Sequence, residues 1–141
     1  LLIYAINLKK RAEEKWSDLL IACGKKRDMT PLLIEIARNY IVKEKNLLND
    51  VLRARKMLYE NIDDNKIDEK TAELDFAVKR IFNLETKNKH MREDPRFVKF
   101  KNEFYENFEM ISHAAVEYNI AAMKYNRLAR FFGRKAPLFQ I

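Results

Sequence analysis

Residues 95–133 read PRFVKFKNEFYENFEMISHAAVEYNIAAMKYNRLARFFG. Within them Phe97, Phe100, Phe104, Phe108, Ile111, Ala115, Tyr118, Ala122, Tyr125, Ala129 and Phe132 follow one another at steps of three or four. That spacing keeps one face of an α-helix turned inward over many turns. Asp94 supplies a capping carboxylate and Pro95 suits the first turn, while Gly133 and Pro137 are stop signals. At about 1.5 Å per residue such a helix reaches roughly 55 Å. An apolar seam of that length must be covered by other helices, so this stretch predicts a bundle.

The rest of the chain supplies three candidate partners. A first helix is predicted from about Leu2 to Arg27, with the stripe Ala5, Leu8, Ala12, Trp16, Leu19, Cys23. Gly24 and the Lys25-Lys26-Arg27 run mark its expected end, where cations favour the helix dipole. Thr30 as cap and Pro31 at the first position then open a second helix, with Leu33, Ala37, Tyr40, Leu47, Val51, Ala54 and Leu58 on one face and Glu44 interrupting them. A polar loop at Asn61, Asp63, Asp64 and Asn65 precedes a third helix from about Asp68 to Asn88, built on Leu74, Ala77 or Val78, and Ile81. The predicted fold is all-α: an antiparallel, up-and-down four-helix bundle over residues 8–135, with residues 136–141 as a tail and no second domain.

Composition narrows the function classes. The 141 residues carry 28 Lys+Arg against 21 Asp+Glu, a formal charge of +7, and 48% are hydrophobic, which is too apolar for a disordered chain. One Cys excludes a disulfide framework, and two Gly leave no glycine-rich phosphate loop. His90 and His113 have no partner at ligand spacing, and neither completes the Glu-x-x-His pattern of a di-iron bundle with Glu44, Glu85 or Glu103. Cys23 reads as a small core residue. No catalytic constellation, metal site, cofactor or small-molecule substrate is therefore expected.

The chain opens Leu1-Leu2-Ile3-Tyr4-Ala5-Ile6, followed by Asn7 and then Lys9, Lys10 and Arg11. It starts without Met, as a processed chain or a fragment would. Six apolar residues are far short of the ~20 needed to span a bilayer. From these residues alone they read as the first turns of a core helix, or as the end of a membrane helix dressed with an interfacial Tyr and cations. Folding the predicted bundle up and down collects Lys25, Lys26, Arg27, Lys87, Lys89, Arg92, Arg96, Lys99 and Lys101 at one end. After Glu117 no acid remains, while Lys124, Arg127, Arg130, Arg134 and Lys135 do. We take Lys25, Lys26, Arg27, Arg127, Arg130, Arg134 and Lys135 as candidate contacts for acidic proteins or anionic lipid, the latter at about 1 kcal/mol per cation near the surface. The rival reading is a soluble basic protein that binds nucleic acid. Against it, acids interleave with the cations along the first three helices and no groove-reading motif is present. Solvated helix faces account for much of the charge.

Several motifs in order resemble the LemA family. Trp16, then Lys26-Arg27-Asp28, Pro31, Leu33-Ile34, Glu35 and Tyr40 are similar to its Trp…Arg-Arg-x-Asp-Leu-Ile-Pro-Asn-Leu-Val…Tyr signature. Lys43-Glu44, Ala54-Arg55, and Phe97, Phe100 and Glu103 stand at further motif positions. Tyr118-Asn119 recurs seven residues later as Tyr125-Asn126, followed by Arg130 and Phe132, like the family's doubled Tyr-Asn. Leu32 after the proline, Gly133 after the last Phe and the missing Tyr-Pro before the fourth helix mark a divergent member. The resemblance implies an N-terminal membrane helix followed by a helical domain, which makes residues 1–7 the tail of an anchor in a bacterial membrane. It also implies a non-enzymatic interaction or scaffolding role; one branch, the MamQ-like proteins, serves magnetosome membrane formation. The doubled Tyr-Asn itself has two readings: rings filling the seam with satisfied hydroxyls, or a contact surface for a partner helix. Arg27 and Asp28 likewise read as a salt bridge stabilising the turn before Pro31.

Overall fold

The computed structural model describes residues 1–60, 66–131 and 133–140. They form α1 (Leu2–Ala37), α2 (Lys45–Glu60), α3 (Ile67–Phe82), the short α4 (Lys89–Glu93) and α5 (Pro95–Ala129), with a 3-10 turn at Asn83–Lys87. No strand occurs among the described residues, and the expected all-α bundle is present. The loop residues Asn61, Asp63, Asp64 and Asn65, and the seam residue Phe132, lie outside the described residues. α1 and α5 run antiparallel: Lys15 meets Glu117, Trp16 meets Tyr118, and Asn107 reaches the carbonyl of Ala22. The α2–α3 hairpin lies against the second half of α1 and the first half of α5, where Phe82 sits edge-on to Phe97, Phe100 and Phe104.

Asp94 caps α5 through the Arg96 amide at 2.8 Å, with Pro95 in the first turn, as its sequence suggests. The predicted seam is buried from Phe97 to Ala129, apart from Phe108, which is 37% exposed. Asn107 takes the inward position instead.

The first two helices divide elsewhere than expected. Gly24, Lys25, Lys26, Arg27, Asp28, Thr30 and Pro31 all lie inside α1, which continues to Ala37. Thr30 is not a cap: its hydroxyl donates to the Lys26 carbonyl within the helix at 2.8 Å. Pro31 lacks the N–H that would reach the Arg27 carbonyl. Arg55 of α2 donates its Nε–H to that oxygen instead, at 3.1 Å, so the interior proline leaves no orphaned acceptor there. The break falls at residues 38–44, where the chain turns to bury Ile41. Tyr40 is fixed in that turn by two residues from the opposite corner: its hydroxyl donates to Asp94 at 2.6 Å, and its carbonyl accepts from Asn88 at 3.2 Å. α3 stops at Phe82, short of the expected Asn88.

The first half of α1 is thinly covered. Up to Trp16 it buries only Ala5 and Ala12, seven residues apart, while α5 contributes Ala115, Ala122 and Ala129 at the same interval. Alanines bury little apolar area. This end of the bundle depends on a third element, the segment after α5.

Candidate interaction surface

Gly133, at φ +108°, donates its amide to Ala129 at 2.6 Å and turns the chain back along α5. A residue with a Cβ adopts that conformation rarely. Residues 134–140 then follow α5 in an extended path held by the two Tyr-Asn pairs. Tyr125 donates its hydroxyl to the Arg134 carbonyl (3.0 Å) and Tyr118 to that of Pro137. Asn126 grips both backbone groups of Ala136, donating to its carbonyl (2.9 Å) and accepting from its amide (2.7 Å). Asn119 grips Phe139 in the same way, both contacts at 2.8 Å. Seven residues of helix rise about 10.5 Å, and three extended residues cover about 10 Å. The heptad repeat on α5 thus matches a three-residue repeat on the tail. Every one of these side-chain bonds goes to main chain, so the ladder recognises an extended backbone. Phe139 is the buried anchor, and the Gln140 amide donates to Asp68 of α3 at 2.9 Å. Burial also pushes the Tyr118 hydroxyl pKa up.

A cavity of about 250 Å³ remains under the tail, lined by Ala12, Trp16, Tyr118, Tyr125, Ala136 and Pro137, with Lys9 and Glu13 also on its wall. Trp16 and Tyr118 have ring centroids 5.0 Å apart. The sequence marked Trp16, Tyr118, Asn119, Tyr125 and Asn126 individually. It does not reveal that they share a partner, because residues 136–141 read only as a C-terminal tail.

The candidate cations separate into distinct environments. Arg127, Arg130 and Lys135 border one open groove beside Met123 and Asn126, and Arg130 stacks over Phe131 at 4.8 Å. Arg134 and Lys135 line the cavity above with Lys9, so the C-terminal cations and the start of α1 share one end of the molecule. Lys25 is exposed. Lys26 is 0% exposed, which removes it from any contact surface. Its Nζ pairs with Asp75 and lies 5.2 Å from the Phe104 ring centroid, while the Thr71 hydroxyl contacts the buried Cys23 thiol. Burial lowers the Lys26 pKa and raises those of Asp75 and Cys23, with the Lys26–Asp75 attraction opposing the shifts on those two. Arg27 pairs with Asp28 at 2.8 Å and covers the Tyr59 ring, on a helix face and not at a turn. Lys25, Lys26 and Arg27 therefore do not join the basic end. At that end, Lys89, Arg96 and Lys101 are matched by Glu93, Asp94 and Glu85.

Among the described residues no group of three His, Cys, Asp or Glu could hold a metal ion. No helix among them is long and apolar enough to cross a membrane. The model of the LemA family matches residues 15–136. No curated protein matches the chain.

Proposed function

The chain belongs to the LemA family, and from that premise we propose a membrane-anchored, non-enzymatic interaction or scaffolding module whose α1 continues an anchoring helix. Family membership supports a non-enzymatic helical module in general, and LemA proteins are generally membrane-associated. The observation that carries the anchor is the first turns of α1. Leu1, Leu2, Ile3, Tyr4 and Ile6 are all exposed, Ile3 at 76%, and only Ala5 among them is buried. Apolar side chains this exposed on a helix start have no partner in the bundle, and a bilayer interface would cover them. Exposed Lys9, Lys10 and Arg11 follow directly, and Arg127, Arg130, Arg134 and Lys135 stand at the same end. Anionic headgroups would meet both sets. Divergence from the common LemA pattern at Leu32 and Gly133 makes the MamQ-like branch, and with it the magnetosome membrane, the proposed location within a bacterial cell. Unknown proteins are the proposed partners.

Fractionation of the full-length protein from its native cell, with protease accessibility of a C-terminal tag, tests this reading. A pellet that resists high salt supports the anchor, and the tag reports the side on which the partners lie. A soluble protein overturns the anchor. A steep loss of DNA binding with salt would then favour the nucleic-acid reading.

A further inference from the structure

The Tyr-Asn ladder spends its hydrogen bonds on main-chain atoms, and main chain is common to every polypeptide. Specificity must come from the side chains between those bonds. The resident tail fills the space unevenly. Phe139 is buried at one end, whereas Ala136 and Pro137 form one wall of the roughly 250 Å³ cavity whose other walls include Trp16, Tyr118 and Tyr125. The space is open on one side and carries Lys9 and Glu13 beside the rings, and a large aliphatic side chain at position 136 would cover Trp16 and Tyr125 more fully than alanine does. Proline suits the next position, because the ladder asks there only for a carbonyl, which accepts from Tyr118, so the missing N–H costs nothing and the ring favours the extended path.

We propose that the ladder is a displaceable peptide-binding groove. Its ligand is an extended segment of a partner protein, with a bulky apolar residue before a proline and an aromatic residue two positions after it. The chain's own residues 134–140 are a built-in competitor that underfills the site. This deepens the interaction-module reading and rests on it: release of the tail couples partner binding to the end of the molecule that carries Arg134 and Lys135.

The single tryptophan, Trp16, stands in the cavity wall and serves as the reporter. The isolated chain is titrated with two synthetic peptides, RKAPLFQ (residues 134–140) and RKLPLFQ, while Trp16 fluorescence is followed. A tethered tail competes at an effective concentration of the order of mM. The leucine peptide should therefore bind roughly tenfold more tightly than the native one, because it buries more CH₂ groups. A second chain carries Asp68→Cys and Gln140→Cys, a site where backbone and side chain already meet at 2.9 Å and which lies outside the ladder. Oxidation pins the tail and should abolish the fluorescence response; reduction should restore it. Equal binding of the two peptides, no binding of either, or a response that survives oxidation overturns the proposal. So does concentration-dependent self-association that the native peptide disperses, since the groove would then serve copies of this chain. No membrane enters the titration, so its failure is separate from failure of the anchor.

Discussion

Lys26 and Asp75 illustrate how a charged residue can be structural. A buried ion pair costs so much desolvation that its net contribution is small, but removal of one partner strands the other. Lys26→Met should lower stability by about 3–5 kcal/mol, whereas Lys26→Met with Asp75→Leu should regain most of that loss, read from urea unfolding midpoints. Equal losses in the single and double variants would show that the pair is not coupled. Asp94 makes a different case, a carboxylate at a helix start that is covered by its own hydrogen-bond partners and used as a cap. Its pKa lies well below the usual carboxylate range because Arg96, through its guanidinium, and the Tyr40 hydroxyl both bond it, with the Arg96 amide adding a third bond. A carboxylate whose pKa is lower in the folded than in the unfolded state stabilises the fold above its unfolded value, near 3.9, and this contribution is lost as pH falls through its folded value. Wild-type melting temperature should therefore fall between about pH 5 and pH 2 by more than that of Asp94→Asn, which should start lower and vary less. Parallel curves would remove Asp94 from the acid response. The capping role was legible from Asp94-Pro95 alone; the link to Tyr40, which comes from the far corner, was not.

At the scale of elements the instructive error is the start of the second helix. Thr30-Pro31 has the grammar of a helix start, and Gly24 followed by three cations has that of an end. Local grammar was overruled by tertiary contacts: Arg55 supplies the acceptor's missing donor, and Asp75 gives Lys26 a partner inside the core. Neither contact has a local sequence signature, so the sequence predicts the break about a dozen residues before the observed one. Seam positions such as Phe97, Phe104, Ala115 and Tyr118 were readable because their period is a property of the helix itself. Two consequences can be measured. Arg55→Ala should cost about 1–3 kcal/mol by orphaning the Arg27 carbonyl, and adding Pro31→Ala should recover part of it by returning a backbone donor. A double variant no more stable than Arg55→Ala would show that Arg55 acts through packing alone. Gly24→Ala should stabilise by up to ~1 kcal/mol, since a Cβ there meets nothing nearer than the Arg27 guanidinium at 3.7 Å and the residue lies within a helix.

For the molecule as a whole, the question is what completes the half of the bundle that the α2–α3 hairpin leaves uncovered. Alanines on α1 and α5 provide a narrow seam there, and Trp16, Tyr118, Tyr125 and the returning tail provide the remaining cover. Tyr125 is 8% exposed, so Tyr125→Ala should cost roughly 3 kcal/mol, and an unchanged melting temperature would place its ring outside the core. The heptad repeat of Tyr-Asn was visible in the sequence, but its meaning was not, because the tail it grips has no hydrophobic period. Asn126→Asp tests that meaning with little change in shape. An ionised carboxylate can still accept from the Ala136 amide, but it cannot donate to the Ala136 carbonyl and would face that oxygen with like partial charge. Amide hydrogen exchange should report the result residue by residue. Protection at Ala136 and Phe139, the two amides received by Asn126 and Asn119, is expected in the parent chain. In Asn126→Asp, exchange at Ala136 should rise at least tenfold and at Phe139 by less, while the Phe82–Phe104 region of the core keeps its protection. Loss of protection at both tail positions together would make the tail one cooperative unit that leaves as a whole, and loss at neither would mean that the ladder does not hold it.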